Sequence, residues 1–216
     1  MIAFASPGWR GNGARFCRPA SGIFSSAMKI SLFSLLVCLG ATVGSGSAAA
    51  QRVESVLIFE NRKVAVVVPP GFTYTRLQDE AGLPNLNLAA AENKVSLNLV
   101  FVPDPEGLAA QARARRERMF ELFANFVETS VEKAMRFEEL EPRLGAGTYC
   151  VFTDASLVGR TNLPPGEYLH LTAGLKVWRG VVVVFRLFSN ETSSAEYQAG
   201  LKLLRTSVEE RAVPLK

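Results

Sequence analysis

The chain has 216 residues, of which 48% are hydrophobic and 20% are charged, with 24 basic against 20 acidic residues. This length is ample for one domain with its own core. Four of the basic residues (Arg10, Arg15, Arg18 and Lys29) precede residue 51, whereas every acidic residue follows residue 50. Residues 51–216 are therefore neutral overall, which removes the electrostatic basis for a nucleic-acid-binding protein.

Residues 28–50 have the pattern of a secretory signal peptide. Met28 and Lys29 precede a short apolar stretch, and small residues follow it as far as Ala50. The apolar stretch is too short to span a bilayer. We therefore expect cleavage near Ala50, a periplasmic location and no transmembrane span in the mature chain.

Two further expectations concern this N-terminal region. Residues 1–27 precede the signal pattern and are interpreted as a disordered upstream extension from a misplaced start, with a long signal n-region as the alternative. Cys38 follows Leu35-Leu36-Val37, so the alternative location is a membrane-anchored lipoprotein attached at Cys38.

The first half of the mature chain alternates between apolar strands and polar turns. Residues 56–59 and 64–68 predict a hairpin that ends at Pro69-Pro70-Gly71, since proline cannot donate to a strand ladder. Residues 86–91 and 95–102 predict a second hairpin. Its polar residues alternate with apolar ones, which predicts a wetter face on this part of the sheet: Asn87, Ser96 and Asn98.

A long amphipathic helix is predicted from about Pro105 to Arg136. Asp104 stands in the N-cap position, and Pro105 suits the first helical position because its missing N–H would be unpaired there anyway. Apolar residues such as Met119 and Phe123 recur on one face, and glutamates gather on the opposite face.

Three more strands and a second helix follow. Residues 148–157, 167–178 and 181–189 are rich in β-branched and aromatic residues, and Arg179-Gly180 predicts a tight turn between the last two strands. A capping-box pattern at 193–196 opens a C-terminal helix, whose apolar positions run from Tyr197 to Val208. The fold class is therefore α+β: a central, mostly antiparallel sheet of about six to eight strands, flanked by a long middle helix and a C-terminal helix.

The order of these elements resembles a known superfamily. The matching segments are Val68-Pro69-Pro70-Gly71-Phe72, Tyr168–Thr172, Gly180, Val181–Phe185 and Leu203–Ser207. Over most of residues 54–208 the chain resembles the superfamily that includes the photosystem PsbP proteins and the DcrB envelope proteins. The resemblance implies a sheet covered by helices on both sides, and a non-enzymatic accessory or binding role.

Candidate catalytic residues are few. His170 is the single histidine and Cys150 is the single cysteine after residue 50, so His-pair metal sites cannot form. Pairing the strands about the 159–166 loop places residue 150 opposite about residue 176. His170 would then lie about six residues, roughly 20 Å, along the ladder from Cys150, too far for a Cys–His dyad. We interpret Cys150 as a buried small hydrophobe, and predict no catalytic residue, no metal site and no cofactor.

Two candidate binding features remain. Arg115 and Arg116 fall near the edges of the apolar stripe, where their stems would cover the rim of the sheet, or their guanidinium groups would bind a phosphate, carboxylate or lipid headgroup. The 159–166 loop carries Arg160 and Asn162 and is either a recognition loop or a plain connection.

The sequence therefore predicts an exported, non-enzymatic envelope protein of PsbP/DcrB-like type that binds an envelope protein or a small ligand. The alternative is a periplasmic small-molecule, lipid or anion-binding protein. A module for protein partners predicts an exposed apolar patch without a deep cavity, whereas a ligand carrier predicts a concave pocket of several hundred Å³. The oligomeric state stays open.

Overall fold

The computed structural model describes residues 52–59, 62–78, 82–164, 166–206 and 208–211. The predicted signal peptide, the segment before it and Cys38 lie outside the described residues. Within those ranges the chain forms two antiparallel sheets and two α-helices. The strands are β1 (Arg52–Phe59), β2 (Arg62–Val68), β3 (Phe72–Gln78), β4 (Pro84–Ala90), β5 (Val95–Pro103), β6 (Glu138–Glu139), β7 (Ala146–Thr153), β8 (His170–Trp178), β9 (Val181–Ser189) and β10 (Val208–Arg211), and the helices are α1 (Ala112–Phe123) and α2 (Ala195–Thr206).

The larger sheet has seven strands in the order β3-β4-β5-β9-β8-β7-β6, and the smaller sheet has the order β1-β2-β10. Alternation along the strands of the larger sheet divides its side chains between two faces. Leu97 and Leu99 of β5 and Phe185 of β9 lie on one face, in a core shared with α2 and β2. Leu171 and Leu175 of β8 lie on the other face, in a second core.

The second core is closed by α1 and the segment after it. Met119 and Phe123 of α1 are fully buried there, and Phe126 joins them directly after the helix. The molecule therefore has three layers, with α1 on one side of the large sheet and α2 with the small sheet on the other. This arrangement confirms the predicted α+β class with an antiparallel sheet covered on both sides.

The turn between β8 and β9 is as predicted. Arg179 has a φ of 44° and Gly180 a φ of 75°, so both central residues of this two-residue hairpin are left-handed. That conformation matches the twist of the flanking strands and suits glycine. Trp178 and Val181 close the hairpin directly opposite each other.

The middle helix is much shorter than predicted. Asp104 does cap a helical turn, because its carboxylate accepts hydrogen bonds from the backbone N–H groups of Leu108 (3.2 Å) and Ala109 (3.1 Å). That turn is a 3-10 turn that begins after the left-handed Gly107 (φ 67°) and ends at the extended Gln111. The prediction of one helix from Pro105 to Arg136 is therefore wrong in extent.

The strands β3 and β10 were not predicted. Pro69-Pro70-Gly71 is a tight turn, in which the backbone N–H of Phe72 donates to the carbonyl of Pro69 at 3.2 Å, and β3 follows it at once. At the other end of the chain, Val208 lies in β10, opposite Val66 of β2, and not in the last helix as predicted. The helix α2 begins after Ser194, whose hydroxyl accepts from the backbone N–H of Tyr197 at 3.2 Å.

Candidate functional site

A groove of about 380 Å³ lies between α1 and the large sheet. Its sheet wall consists of Val102, Val182 and Val184, on the face that also carries the second core. Its helical wall includes Leu108 and Leu122. Because α1 packs on β7 and β8, Val102 of β5 and Val184 of β9 stay only half-buried. The result is a concave surface with an apolar lining, which is the usual character of a ligand site.

The acidic side chains on the rim of this groove all have partners. Glu117 accepts from Arg113 at 2.8 Å and Glu121 accepts from Arg118 at 2.6 Å, both along the surface of α1. Asp104 accepts from the two backbone N–H groups of its helical turn. The carboxylates of the rim are therefore engaged by donors of the protein itself.

Arg186 lies on the same face of β9, two residues beyond Val184, which is about 7 Å along the strand. Its guanidinium carbon stands 5.9 Å from the centroid of the Phe123 ring, a cation–π distance. Its Nε is buried and has no hydrogen-bond partner, and Arg186 forms no ion pair within the described part of the chain. Burial lowers the pKa of Arg186, and no acidic group among the described residues raises it. Buried polar atoms are normally hydrogen-bonded, so the Nε of Arg186 is an exception that calls for an explanation.

A row of asparagines continues from Arg186 across the neighbouring strands. Asn98 of β5 faces Arg186 in the register and faces Asn87 of β4 on its other side. The Asn98 amide donates both to Asn85 (2.6 Å) and to Asn87 (2.7 Å). These side chains are half-buried while their apolar neighbours on the other face are buried, which confirms the predicted wetter face.

Arg115 and Arg116 have different surroundings. Arg115 is 3% exposed and donates to Thr148 Oγ1 (2.8 Å), to the carbonyls of Ala110 (3.0 Å) and Ala109 (3.3 Å), and to Glu139 (3.3 Å). Arg115 therefore joins the start of α1 to β7.

Arg116 remains half-exposed at the surface. It pairs with the other oxygen of Glu139 at 3.4 Å and stands 5.7 Å from the centre of the Phe137 ring. The shared carboxylate of Glu139 already occupies the space between Arg115 and Arg116. Anion binding at this pair stays a prediction, and an external anion would have to compete with Glu139.

The structure places Arg160 and Asn162 in the exposed connection between β7 and β8. The backbone N–H of Arg160 donates to the carbonyl of Leu157 at 3.1 Å. Within the described residues, neither Arg160 nor Asn162 lines the groove. Their role in recognition stays a prediction.

The predicted pairing of β7 with β8 is wrong by three residues. Cys150 faces Ala173, and His170 faces Thr153, so His170 lies about 10 Å along the ladder from the partner of Cys150. The reason lies at Asp154, where the chain leaves the ladder and the carboxylate accepts from the N–H and hydroxyl of Ser156. Cys150 is buried, as expected, and burial raises its pKa to about 12.

His170 belongs to a polar chain that the sequence did not reveal. Glu132 accepts from the Thr153 hydroxyl at 2.7 Å and from its backbone N–H at 2.8 Å, and the same hydroxyl lies 3.2 Å from His170 Nδ1. The hydroxyl therefore stands between carboxylate and imidazole, whereas a hydrolytic triad needs the imidazole in the middle. Among the described residues no group of three or more metal-ligating side chains is found.

The comparisons with known proteins give one result. No protein-family model and no curated protein matches this chain. A solved structure is similar to it. This is the solution structure of cyanobacterial PsbP (CyanoP) from Synechocystis sp. PCC 6803, with 11% sequence identity and a TM-score of 0.43, covering 77% of this chain and 95% of that chain. Nothing about the family, ligands or partners of this chain follows from that similarity.

In the described ranges, neither α-helix is sufficiently long and apolar to serve as a membrane span.

Proposed function

We propose that this chain is an exported binding module without catalytic activity, which acts in the cell envelope and holds a small ligand in the groove beside α1. The observation that supports the proposal is the groove itself, whose volume of about 380 Å³ is of the size expected for a ligand carrier. Its apolar walls and small number of polar groups fit a ligand that is largely hydrocarbon. The proposal therefore favours ligand binding over a flat docking surface.

The absence of catalysis is proposed from the state of the reactive groups. A cysteine nucleophile has to be a thiolate near neutral pH, and a base beside it normally lowers its pKa. Burial raises the pKa of Cys150 to about 12, and His170 faces Thr153 three positions away. These two residues suit structural roles better than a nucleophile and its base.

The export part of the proposal is supported by residues 28–50 alone. The test is to express the full chain with a C-terminal tag in a Gram-negative host and to determine the N-terminus of the product in each cell fraction. We expect a product that starts near Gln51 in the periplasmic fraction. A Cys38→Ser variant should behave identically, whereas a loss of membrane association in that variant would establish the lipoprotein alternative. An unprocessed cytoplasmic product would contradict export.

The binding part is tested with a neutral apolar dye such as Nile red, titrated into the purified exported protein. Val184→Trp should fill the groove and weaken dye binding at least tenfold. The matched control is Val158→Trp, because Val158 is exposed on the loop after β7 and does not line the groove. Circular dichroism checks that both variants are folded. Equal dye binding by both variants would show that the groove is not the binding site.

A second candidate function is the docking of a protein partner. Two exposed apolar side chains, Leu108 (55% exposed) and Phe120 (59% exposed), lie on the segment that forms the helical wall. Phe120→Ser would then remove a partner captured from envelope extracts while Nile red binding stays unchanged. Loss of dye binding without any change in captured proteins would favour the small ligand.

A further inference from the structure

Arg186 has a buried donor, its Nε, without an acceptor among the described residues. A half-buried arginine normally gives its donors to a carboxylate, a carbonyl or water, because leaving a charged donor without a partner is costly. The guanidinium of Arg186 stands over the face of Phe123, and its buried Nε has no acceptor among the described residues. A buried donor without a partner calls for an explanation, and a functional role is one such explanation.

The position of Arg186 relates it to the groove. Val182, Val184 and Arg186 follow one another on one face of β9, so the distance from Val182 to Arg186 is about 13 Å. Val182 and Val184 belong to the apolar wall, and Phe123, over which the guanidinium lies, is the neighbour of the wall residue Leu122. Arg186 is not among the residues that line the groove, but it directly follows the groove's wall along β9.

The charged side chains that line the groove do not pair with Arg186. The rim acids Asp104, Glu117 and Glu121 accept hydrogen bonds from other groups, and no ion pair joins any of them to Arg186 in the described part of the chain. Asn98, the cross-strand neighbour of Arg186, donates its amide N–H groups to Asn85 and Asn87, and its Oδ1 accepts nothing from the Arg186 Nε. The Nε of Arg186 thus has no acceptor among the described residues, and an acceptor supplied by a ligand would complete it.

The ligand that matches these features carries a hydrocarbon chain and one negative charge. A guanidinium group binds a carboxylate through two parallel hydrogen bonds. One cation balances a carboxylate fully, whereas a dianionic phosphate would keep one buried charge uncompensated. We propose that the groove binds a single-chain carboxylate amphiphile of the fatty-acid class, with the carboxylate on Arg186 and the hydrocarbon chain along Val184 and Val182. This rests on the proposed function, since it names the ligand class of the same groove.

The test compares three soluble probes of equal chain length at monomeric concentrations: decanoate, decanol and decyltrimethylammonium. Displacement of Nile red from the exported protein gives the affinity of each probe. We expect decanoate to bind at least tenfold more tightly than decanol, and the cationic probe to bind most weakly. Arg186→Met should abolish the preference for decanoate while decanol binding stays unchanged, and Arg186→Lys should restore part of it. Arg160→Met, on the exposed loop, is the matched control and should change nothing.

A second measurement separates a binding role from a structural one. If Arg186 is kept for a ligand, Arg186→Met removes an unpaired charge, and its urea midpoint without ligand should equal or exceed that of the wild type. A lower midpoint would show that Arg186 stabilises the fold, and would overturn the proposal.

The remaining outcomes are distinguishable. Equal affinity for decanoate and decanol, with dye binding intact, would overturn the ligand class but leave the groove as a binding site. No binding of any probe or of the dye would overturn the proposed function. Binding to vesicles of anionic phospholipid without binding of monomeric decanoate would show that the surface recognises a membrane, and would also overturn the proposal.

Discussion

Replacement of Arg115 by methionine provides a stringent test of the packing at the start of α1. The side chain is 3% exposed, and its guanidinium reaches four acceptors: Thr148, Ala109, Ala110 and Glu139. Methionine keeps an unbranched stem of similar length but has no donor. The matched control is Arg116→Met. Arg116 is the next residue in sequence, but it lies at the surface, where its ion pair with Glu139 is half-exposed.

The expected magnitude follows from the acceptors that would be left behind. The bonds to Thr148 and to the carbonyl of Ala109 are buried, and the bond to Ala110 is partly buried. Thr148 keeps a partner, since its hydroxyl also donates to Glu139 at 3.3 Å. The two carbonyls lose theirs, and each buried group without a partner costs about 1–3 kcal/mol. We therefore expect Arg115→Met to lower the free energy of unfolding by about 2–5 kcal/mol, and Arg116→Met by less than about 1 kcal/mol.

Urea unfolding followed by far-ultraviolet circular dichroism measures both variants under the same conditions. The midpoint of Arg115→Met should fall well below that of Arg116→Met, with the slope unchanged. Equal midpoints for the two variants would refute the assignment of Arg115 to the interior. A large loss for both would indicate that Glu139, the carboxylate that they share, is the main contributor.

Three further outcomes are expected. Burial raises the pKa of Cys150 to about 12, so Cys150 should react with iodoacetamide at pH 8 only as fast as the protein unfolds. Rapid alkylation without urea would contradict the placement of Cys150 in the core. Gly174→Ala should cost about 1–3 kcal/mol in urea unfolding, because the added methyl carbon would lie 2.5 Å from Thr148 O. Gly200→Ala, which meets only the end of the Leu187 side chain at 2.9 Å, should cost clearly less, and equal losses would refute this reasoning. Burial raises the pKa of Glu132, but hydrogen bonds from Thr153 outweigh it and hold the pKa below its usual value near 4.5. The stabilisation that ionised Glu132 provides is therefore fully present above pH 4.5 and is lost as the pH falls through the lower pKa of the folded protein. Glu132→Gln should therefore be less stable than the wild type in urea at pH 7, and this difference should vanish in acid. A difference that stays constant with pH would contradict the reasoning.

Local patterns in the sequence predicted most strands correctly because alternation and turn residues act over a few positions. The β8–β9 hairpin is an example, since Arg179-Gly180 alone determines the type of turn. The helix was overextended for the same reason. Its apolar spacing continues beyond Phe123, but Phe126 enters the second core from a 3-10 turn and satisfies that spacing without a helix.

The parts that could not be predicted depend on contacts distant in sequence. The chain leaves the β7–β8 ladder at a turn at Asp154. Because the long connection from there to β8 is not symmetric about the 159–166 loop, the register is shifted. β10 forms because its backbone pairs with β2, which is distant in sequence. Arg186 was overlooked because alternation shows only that it shares a face with Val184. That no carboxylate of the described residues pairs with it becomes visible only when β5, β9 and α1 are assembled.

The central claim is that the groove beside α1 holds a carboxylate amphiphile by Arg186. A crystal structure of the exported protein grown with decanoate tests this claim most directly. The account predicts the carboxylate within hydrogen-bonding distance of the Arg186 guanidinium and the hydrocarbon chain against Val184 and Val182. An empty groove at saturating decanoate, or a carboxylate bound elsewhere with Arg186 still unpaired, would contradict it.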